Sequence, residues 1–306
     1  MKQLCLQADA SYAGVRIDKY LAEVMSDYSR SFLQKQLKDG NVTVNGKREK
    51  ASYKVAEEDE IAVLIPDNLE PDIQAENIPL DILYEDDQLL VVNKPKGMVV
   101  HPSPGHYTGT LVNALMYHCK DQLSGINGVL RPGIVHRIDM DTTGALVVCK
   151  TDIAHQSLAE QLKVHSITRK YRAIVHGNLT VDSGTIEGDI GRHPTDRKKM
   201  AVHVRNGKPA VTHYQVLQRF GNYTYVECQL ETGRTHQIRA HLASEGYPLM
   251  GDSKYGDRAF NKKCREHYGL KHQLLHAFSL TFPHLEGCLG EVSEKTFRNL
   301  PKASLQ

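Results

Sequence analysis

The fold is decided by residues 136–149, which read His136-Arg137-Ile138-Asp139-Met140-Asp141-Thr142-Thr143-Gly144-Ala145-Leu146-Val147-Val148-Cys149. The first part combines basic, acidic and hydroxyl side chains with a glycine, and the second part is an apolar run. This order predicts a polar loop followed by a buried β-strand. Because loops held by a rigid sheet often carry catalytic groups, Asp139 is a candidate catalytic carboxylate. A turn with a solvated salt bridge would explain the same composition equally well.

Apolar runs of strand length lie on both sides of this stretch, and helical patterns are fewer. The predicted strands cover residues 89–92, 145–149, 171–175, 211–217 and 223–230. The predicted helices cover residues 111–119, 153–164 and 235–244. Because strands predominate and helices fall irregularly among them, we predict an α+β fold with a mixed, largely antiparallel sheet.

Residues 1–65 have the pattern of a small separate domain. Apolar side chains recur at helical spacing at Ile17, Tyr20, Leu21, Val24 and Met25. A second helix is predicted between a capping Ser29 and a terminating Gly40. Asn45-Gly46 is a hairpin turn signal, and residues 61–65 form a last predicted strand. The outer face of the second helix carries Arg30, Lys35 and Lys38.

Residues 66–77 differ from both flanks because they are acidic, contain Pro66 and Pro71, and lack periodicity. They predict a linker. The expected organisation is therefore a domain at residues 1–65, the linker, and a larger domain at residues 78–306.

Composition argues for a cytoplasmic protein without membrane association. Hydrophobic residues make up 40% of the chain and charged residues 24%, but the apolar runs are far shorter than the about 20 residues of a membrane span. The first residues lack the apolar core of a signal peptide. The six cysteines are scattered without a Cys-x-x-Cys pair, so we expect free thiols and no metal site. Phosphate-loop, dinucleotide-binding and zinc-hydrolase motifs do not occur.

Two further segments carry candidate functional residues. Residues 231–239 include Gly233, Arg234 and Arg239, and an arginine at a strand-to-helix junction can hold a carboxylate or contact phosphate. Residues 168–175 place Tyr171 among basic neighbours, where it can stack on a nucleobase or pack in the core. Basic runs at 163–172 and 192–208 suit a polyanion, although a solvated surface would have the same composition.

These segments, in this order and spacing, resemble the large-subunit ribosomal RNA pseudouridine synthases that join an S4 RNA-binding domain to a catalytic domain. The S4 resemblance lies in residues 16–21, 29–30 and 40–46. The catalytic-domain resemblance lies in residues 85–95, 97–102, 132–139, 232–239, 251–256 and 275–277. Ile138 and Met140 stand where leucine and a basic residue are common in the family.

The resemblance implies an isomerase that converts uridine to pseudouridine in structured RNA, with 23S rRNA or the large-subunit precursor as the expected partner. The reaction involves no net redox change or hydrolysis, so no cofactor and no metal are expected. A monomer is the expected state. A non-catalytic RNA-binding or ribosome-assembly factor on the same scaffold is the alternative. A base-releasing glycosidase is a weaker one, since it would usually need a second carboxylate.

The resemblance also implies residue roles. Asp139 matches the required aspartate, which attacks C1′ or assists proton loss from C2′ of the target ribose. Tyr171 matches the tyrosine that packs on the base, and Arg234 matches the basic partner of the aspartate. Arg137 matches a residue that occupies the space left by the flipped uridine. We further assign RNA or substrate contacts to His136, Thr142, Arg30, Lys35, Lys38, Arg169 and Arg239.

Overall fold

The computed structural model describes residues 2–25, 28, 30–65, 73–103, 105–120, 122–128 and 130–300. The chain divides into two compact units, Met1–Asp72 and Ile73–Gln306. Part of the predicted linker, residues 66–72, and the predicted cap Ser29 lie outside the described residues. The rest of the linker prediction is wrong, because residues 73–77 lie in the second unit. Ile73 is buried in its core, and Asn113 Nδ2 donates to the carbonyl of Gln74 at 2.7 Å.

The first unit packs two helices against a four-stranded sheet. Its elements are β1 Lys2–Gln7, α1 Ile17–Val24, α2 Arg30–Asp39, β2 Val42–Val44, β3 Lys47–Arg48 and β4 Glu60–Ile65. The sheet order is β1-β4-β2-β3. Asn45 and Gly46 have φ values of 49° and 75° between β2 and β3, as a two-residue hairpin turn requires. The sequence did not predict β1, which pairs with β4 along its whole length.

A buried carboxylate joins the two helices of this unit. The Asp18 side chain is fully buried and accepts hydrogen bonds from three side chains, Arg16, Arg30 and Gln34. Burial works against ionisation, but these donors outweigh it and lower the pKa of Asp18. Arg30 was predicted to contact RNA; its guanidinium joins α2 to α1, and its side chain keeps 47% of its surface exposed. The other two basic residues predicted on this face, Lys35 and Lys38, are exposed.

The second unit is built on one large mixed sheet. Its strands are β5 Ile82–Glu85, β6 Leu89–Lys94, β7 Thr143–Cys149, β8 Thr168–His176, β9 Ser183–Glu187, β10 Ile190–Arg192, β11 Met200–Val202, β12 Val211–Arg219, β13 Tyr223–Leu230, β14 Leu275–Thr281 and β15 Thr296–Arg298. The order is β5-β6-β7-β14-β8-β13-β12-β9, with β15 also on β14, and β10 and β11 form a separate hairpin. Only β7 and β14 run parallel among the described strands. The predicted α+β class with a largely antiparallel sheet is confirmed.

Four α-helices accompany this sheet in the described part of the chain. They are α3 Leu111–Cys119, α4 Asp152–Lys163, α5 Gln237–Ser244 and α6 Arg258–Tyr268. The sequence predicted the first three and missed α6, because α6 buries only Cys264 and has a highly polar composition. Within the described ranges, no helix has both the length and the apolar character needed to cross a membrane.

Strand β7 lies inside the sheet, between β6 and β14, and is covered on both faces. Leu146 and Val148 pack into one hydrophobic core, whereas Ala145, Val147 and Cys149 pack into another. This alternation explains why the strand is a continuous apolar run in the sequence. Gly144, at the start of β7, has φ of 113°, and a side chain there would collide with the backbone of Ala277 in β14. The glycine therefore permits the parallel contact that places the preceding loop at the sheet edge.

Candidate active site

A cleft of about 510 Å³ brings together the three segments that stand out in the sequence. Its walls include Asp139 from the loop before β7, Tyr171 from β8 and Arg239 from α5. These residues are far apart along the chain. Four neighbouring strands of the sheet, β7, β14, β8 and β13, bring them together. The loop of Asp139 precedes β7, Tyr171 lies on β8, and the segment that contains Arg239 follows β13.

Asp139 lines the cleft, and one of its carboxylate oxygens is held by an arginine. Its Oδ2 accepts a hydrogen bond from Nη1 of Arg239 at 2.7 Å. Among the described residues, none donates a hydrogen bond to Oδ1, and the side chain keeps 18% of its surface exposed. The N–H of Thr142 donates to the carbonyl of Asp139 at 3.1 Å, which fixes the turn around the carboxylate. Asp139 is thus oriented and still accessible.

Arg239 is itself held by a second, fully buried carboxylate. Its Nε and Nη2 donate to the two oxygens of Asp252 at 2.7 Å and 3.0 Å. The N–H groups of Lys254 and Tyr255 also donate to Asp252. Burial opposes ionisation of Asp252, but Arg239 and these N–H groups outweigh it and lower its pKa. The result is a chain of charges, Asp139–Arg239–Asp252, that fixes the guanidinium before any substrate binds.

Two sequence interpretations are corrected here. Arg234 was expected to pair with Asp139, and Arg239 to contact RNA. In the structure Arg239 is 4% exposed and pairs with Asp139, whereas Nε of Arg234 donates to the carbonyl of Pro209 at 3.0 Å. The reason is local: His236 has φ of 55°, and α5 begins only after it. Arg239 therefore lies in the first helical turn, and Arg234 lies in the preceding loop, where it still lines the cleft.

Tyr171 and Arg169 line the cleft from the same face of β8. They are two residues apart, so their side chains point to one side of the sheet, and both are buried. Burial raises the pKa of Tyr171, with Arg169 acting in the opposite direction. The phenol is therefore neutral near pH 7. It offers an apolar ring with a polar edge inside the cleft.

Three residues of the Asp139 loop that were predicted to contact RNA have different environments. Nε2 of His136 accepts a hydrogen bond from the N–H of Val147 at 3.0 Å, and burial lowers the pKa of the ring to about 3. One ring nitrogen of His136 is thus already used within the protein. Arg137 is exposed at the cleft. The buried hydroxyl of Thr142 has no hydrogen-bond partner among the described residues.

Comparisons with known proteins agree with this arrangement. A family model described as RNA pseudouridylate synthase matches residues 88–244, and an S4 domain model matches residues 15–61. The chain is 55% identical to the RNA pseudouridine synthase YlyB of Bacillus subtilis (strain 168), over 93% of this chain and 91% of that protein. The chain belongs to the RNA pseudouridylate synthase family. It is therefore an isomerase that converts uridine to pseudouridine in RNA.

Other relatives and solved structures support this pseudouridine synthase assignment. The ribosomal large subunit pseudouridine synthase D of Zymomonas mobilis is 46% identical over 89% of this chain and 86% of that protein. Human RNA Pseudouridylate Synthase Domain Containing 4 has a TM-score of 0.56 at 27% identity, covering 72% of this chain and 88% of that one. Human RNA Pseudouridylate Synthase Domain Containing 1 has a TM-score of 0.55 at 29% identity, covering 68% and 80%.

A buried lysine fixes the loop that carries Asp139 in this synthase. Lys94, at the end of β6, is fully buried, and its Nζ donates to the carbonyls of Pro95, Met98 and Met140 at 2.8, 2.8 and 2.9 Å. The N–H of Gly97 also donates to the carbonyl of Met140 at 3.0 Å. Burial lowers the pKa of Lys94 to about 8, so the ammonium is mostly charged at neutral pH. The residue after Asp139 is therefore anchored by two donors.

Lys94→Met is expected to destabilise the synthase by about 2 kcal/mol, because three backbone carbonyls lose a buried, charged donor. Thermal and urea unfolding measure this effect. Lys96→Met is the matched control, since Lys96 is exposed in the same segment and its replacement should cost little. Equal stability of the two variants would show that Lys94 does not anchor the loop.

The stability difference between wild type and Lys94→Met should depend on pH. The pKa of Lys94 is lowered from 10.5 in the unfolded chain to about 8 in the folded one. Between these pH values the unfolded chain binds more protons, so the contribution of Lys94 to stability rises with pH. The stability difference between wild type and Lys94→Met should therefore widen from pH 8 to pH 10. A difference that narrows over this range would contradict the assignment.

Tyr255 links the cleft to the β10–β11 hairpin. Its hydroxyl accepts a hydrogen bond from the N–H of Met200 in β11 at 2.7 Å and lies 2.9 Å from Nδ1 of His236. Its ring lies 5.2 Å from the guanidinium carbon of Arg239. Burial raises the pKa of Tyr255 to about 12 and lowers that of His236 to about 4, so both are neutral at pH 7. Sequence analysis missed Tyr255, although it lies in a segment that resembles the family.

The two basic runs of the sequence have different surroundings in the structure. The run around β10 and β11 exposes Arg192, Arg197, Lys198, Arg205 and Lys208. In the other run, Lys170 and Arg172 share Glu227 at 2.9 Å and 2.8 Å. The hairpin run thus keeps an uncompensated positive surface that suits a polyanion, whereas much of the β8 run is neutralised within the protein.

One cluster of possible metal ligands lies outside the cleft. Ligand atoms of Glu85, His118 and Cys119 lie within 4.8 Å of one another. Both oxygens of Glu85 are engaged, by His118 at 2.8 Å and by Lys150 at 3.1 Å. Burial, with a smaller effect of Glu85, raises the pKa of the Cys119 thiol to about 11. These residues form an ion-pair network next to a protonated thiol.

Proposed function

We propose that the chain isomerises uridines in 23S rRNA, free or within the assembling large ribosomal subunit in the cytoplasm, with Asp139 acting at the ribose. The RNA substrate is supported by the S4 domain match. The large-subunit target is supported by relatives named ribosomal large subunit pseudouridine synthase D, at 46% identity in Zymomonas mobilis and 46% in Pseudomonas aeruginosa.

The observation that carries the proposal is the orientation of Asp139. Its Oδ2 is held by Arg239, its Oδ1 accepts no hydrogen bond from the described residues, and the residue lines a cleft whose wall includes Tyr171. An ionised carboxylate with one oxygen held and one available can act as a nucleophile or as a base. Because Arg239 is already fixed by Asp252, the protein does not reorganise this charge during the reaction.

The chemistry fits the residues in the cleft. The bond between ribose C1′ and uracil N1 breaks, the base turns, and a bond forms between C1′ and C5. The proton on C5 is lost and N1 gains one, so the atoms balance without a further reactant. Asp139 attacks C1′ or removes a proton from C2′ in the first step. Tyr171 is placed to pack on the base while it turns.

A base inside an RNA helix must leave its stack before this chemistry, at a cost of a few kcal/mol. The exposed Arg137, on the loop of Asp139, is placed to occupy the vacated space. The exposed lysines of α2 and the basic β10–β11 hairpin are placed to bind phosphates. Phosphate contacts of this kind position RNA without reading its sequence.

Mapping pseudouridines in all ribosomal RNAs from a deletion strain and its parent tests the proposal. We expect defined 23S rRNA positions to lose pseudouridine and to regain it when the gene is restored. An unchanged 23S map would overturn the 23S assignment. An unchanged map with a ribosome-assembly defect would favour the alternative, a non-catalytic assembly factor.

A further inference from the structure

Arg169 is a buried cation that has no carboxylate partner among the described residues. Its side chain lies on the cleft wall, and the residue is 7% exposed. Its Nη2 donates to the carbonyl of Glu231 at a long 3.3 Å, and its Nε has no hydrogen-bond partner in the described part of the chain. Within the part of the chain that the structure describes, no acidic side chain forms an ion pair with it. A buried charge in this situation is costly unless something else compensates it.

Neighbouring cations show how the protein compensates charge elsewhere. Lys170 and Arg172, on the opposite face of β8, share Glu227. Arg239, in the same cleft, is paired with two carboxylates. Arg169 differs from all three, although it is as buried as a core residue. The contrast indicates that its counter-charge comes from outside the chain.

The space around Arg169 is open on the side of the cleft. Gly233 faces it, and a Cβ at that position would lie 2.8 Å from Nη1. Because Gly233 has no side chain, the guanidinium of Arg169 can occupy its position on the cleft wall without a collision. Arg169 is also two residues from Tyr171 on the same face of β8, so a nucleotide whose base contacts Tyr171 has its backbone within reach.

We propose that Arg169 binds a non-bridging phosphate oxygen next to the flipped uridine, as the fixed anion site of the cleft. This inference rests on the proposed entry of an RNA uridine into the cleft. A guanidinium offers paired N–H donors in a geometry that matches a phosphate. The phosphodiester supplies the missing charge, satisfies the orphaned Nε, and fixes the ribose relative to Asp139.

Neutral backbone linkages test this contact directly. The substrate is a synthetic RNA around a uridine that the enzyme converts, whichever RNA that uridine belongs to. Single methylphosphonates replace the phosphate 5′ of the uridine, the phosphate 3′ of it, or a terminal phosphate as control. The rate of pseudouridine formation gives kcat/KM for wild type, Arg169→Met, Arg169→Lys and Lys163→Met. Lys163 is the matched control because it is an exposed cation that also lines the cleft.

We expect one flanking methylphosphonate to lower kcat/KM of wild type by about 10- to 100-fold, the loss typical of a hydrogen bond to a charged group. In Arg169→Met the unmodified RNA should react slowly, and that methylphosphonate should cost little more. Arg169→Lys should recover part of the sensitivity, and Lys163→Met should retain all of it. Circular dichroism and thermal melting confirm that each variant is folded.

Two results would overturn the proposal. In the first, neither flanking methylphosphonate costs wild type more than the terminal one. In the second, the flanking cost is the same in Arg169→Met and Arg169→Lys as in wild type, which would leave Arg169 with a structural role towards Glu231. Because the substrate is chosen by conversion alone, failure of the 23S assignment would not affect this result, and failure here would leave that assignment standing.

Discussion

Asp139→Asn is expected to abolish pseudouridine formation while leaving the fold intact. The substitution keeps the size of the side chain and an oxygen for Arg239, but it removes the negative charge of the carboxylate that lines the cleft. A group that acts as nucleophile or base contributes about 10² to 10⁴ in rate, so we expect a loss of about 10³-fold or more. Quantifying pseudouridine in RNA treated with the purified variant measures it.

Asp141→Asn is the matched control. Asp141 lies on the same loop, but it pairs with His272 at 3.1 Å and does not line the cleft. This variant should keep most of the activity. Thermal melting and RNA binding should be close to wild type for Asp139→Asn, because Arg239 retains Asp252. Substantial activity of Asp139→Asn would end the assignment of Asp139 as the reactive group.

Local sequence patterns singled out Asp139 and Tyr171 as candidates, and the resemblance to the family supplied their expected roles. A polar loop before an apolar run marks Asp139, and strand periodicity marks Tyr171. The structure places both in one cleft, as the predicted strands allow. The sheet order that joins them depends on β14, which the sequence pattern did not predict.

The choice between Arg234 and Arg239 could not be made from the sequence. Both are in one nine-residue segment, and either could have reached Asp139. The positive φ of His236 determines which arginine lies in the helix, because α5 begins only after this residue. A non-glycine residue in this conformation has no reliable local signal. The role of Asp252 was missed for a related reason, since its burial depends on packing between distant segments.

Arg30, in the first unit, also has a tertiary contact that the local sequence pattern could not predict. Its position on the outer face of α2 was read correctly, but its partner Asp18 lies one helix earlier, and the contact is tertiary. A basic residue on a predicted outer face is therefore weak evidence for RNA binding. The exposed Lys35 and Lys38 retain that expectation.

Arg239→Met is expected to destabilise the enzyme by about 3–5 kcal/mol and to reduce its activity strongly. It leaves the fully buried Asp252 without its cation, and an unpaired buried charge is the costly outcome. The pKa of Asp252, lowered in wild type, should then rise above its ordinary value of 3.8. A raised pKa means that the folded state binds more protons, so the variant should lose stability as pH increases from 4 towards 7.

A second substitution distinguishes the effect of Arg239 on stability from its effect on the reaction. Arg239→Met combined with Asp252→Asn removes both buried charges, and an amide at position 252 can still accept from the N–H groups of Lys254 and Tyr255. We expect the double variant to recover much of the lost stability, measured by urea unfolding, without recovering activity, because the Asp139 carboxylate then lacks the guanidinium that holds its Oδ2. If activity returned together with stability, Arg239 would act only through the fold, and Asp139 would not need its fixed guanidinium.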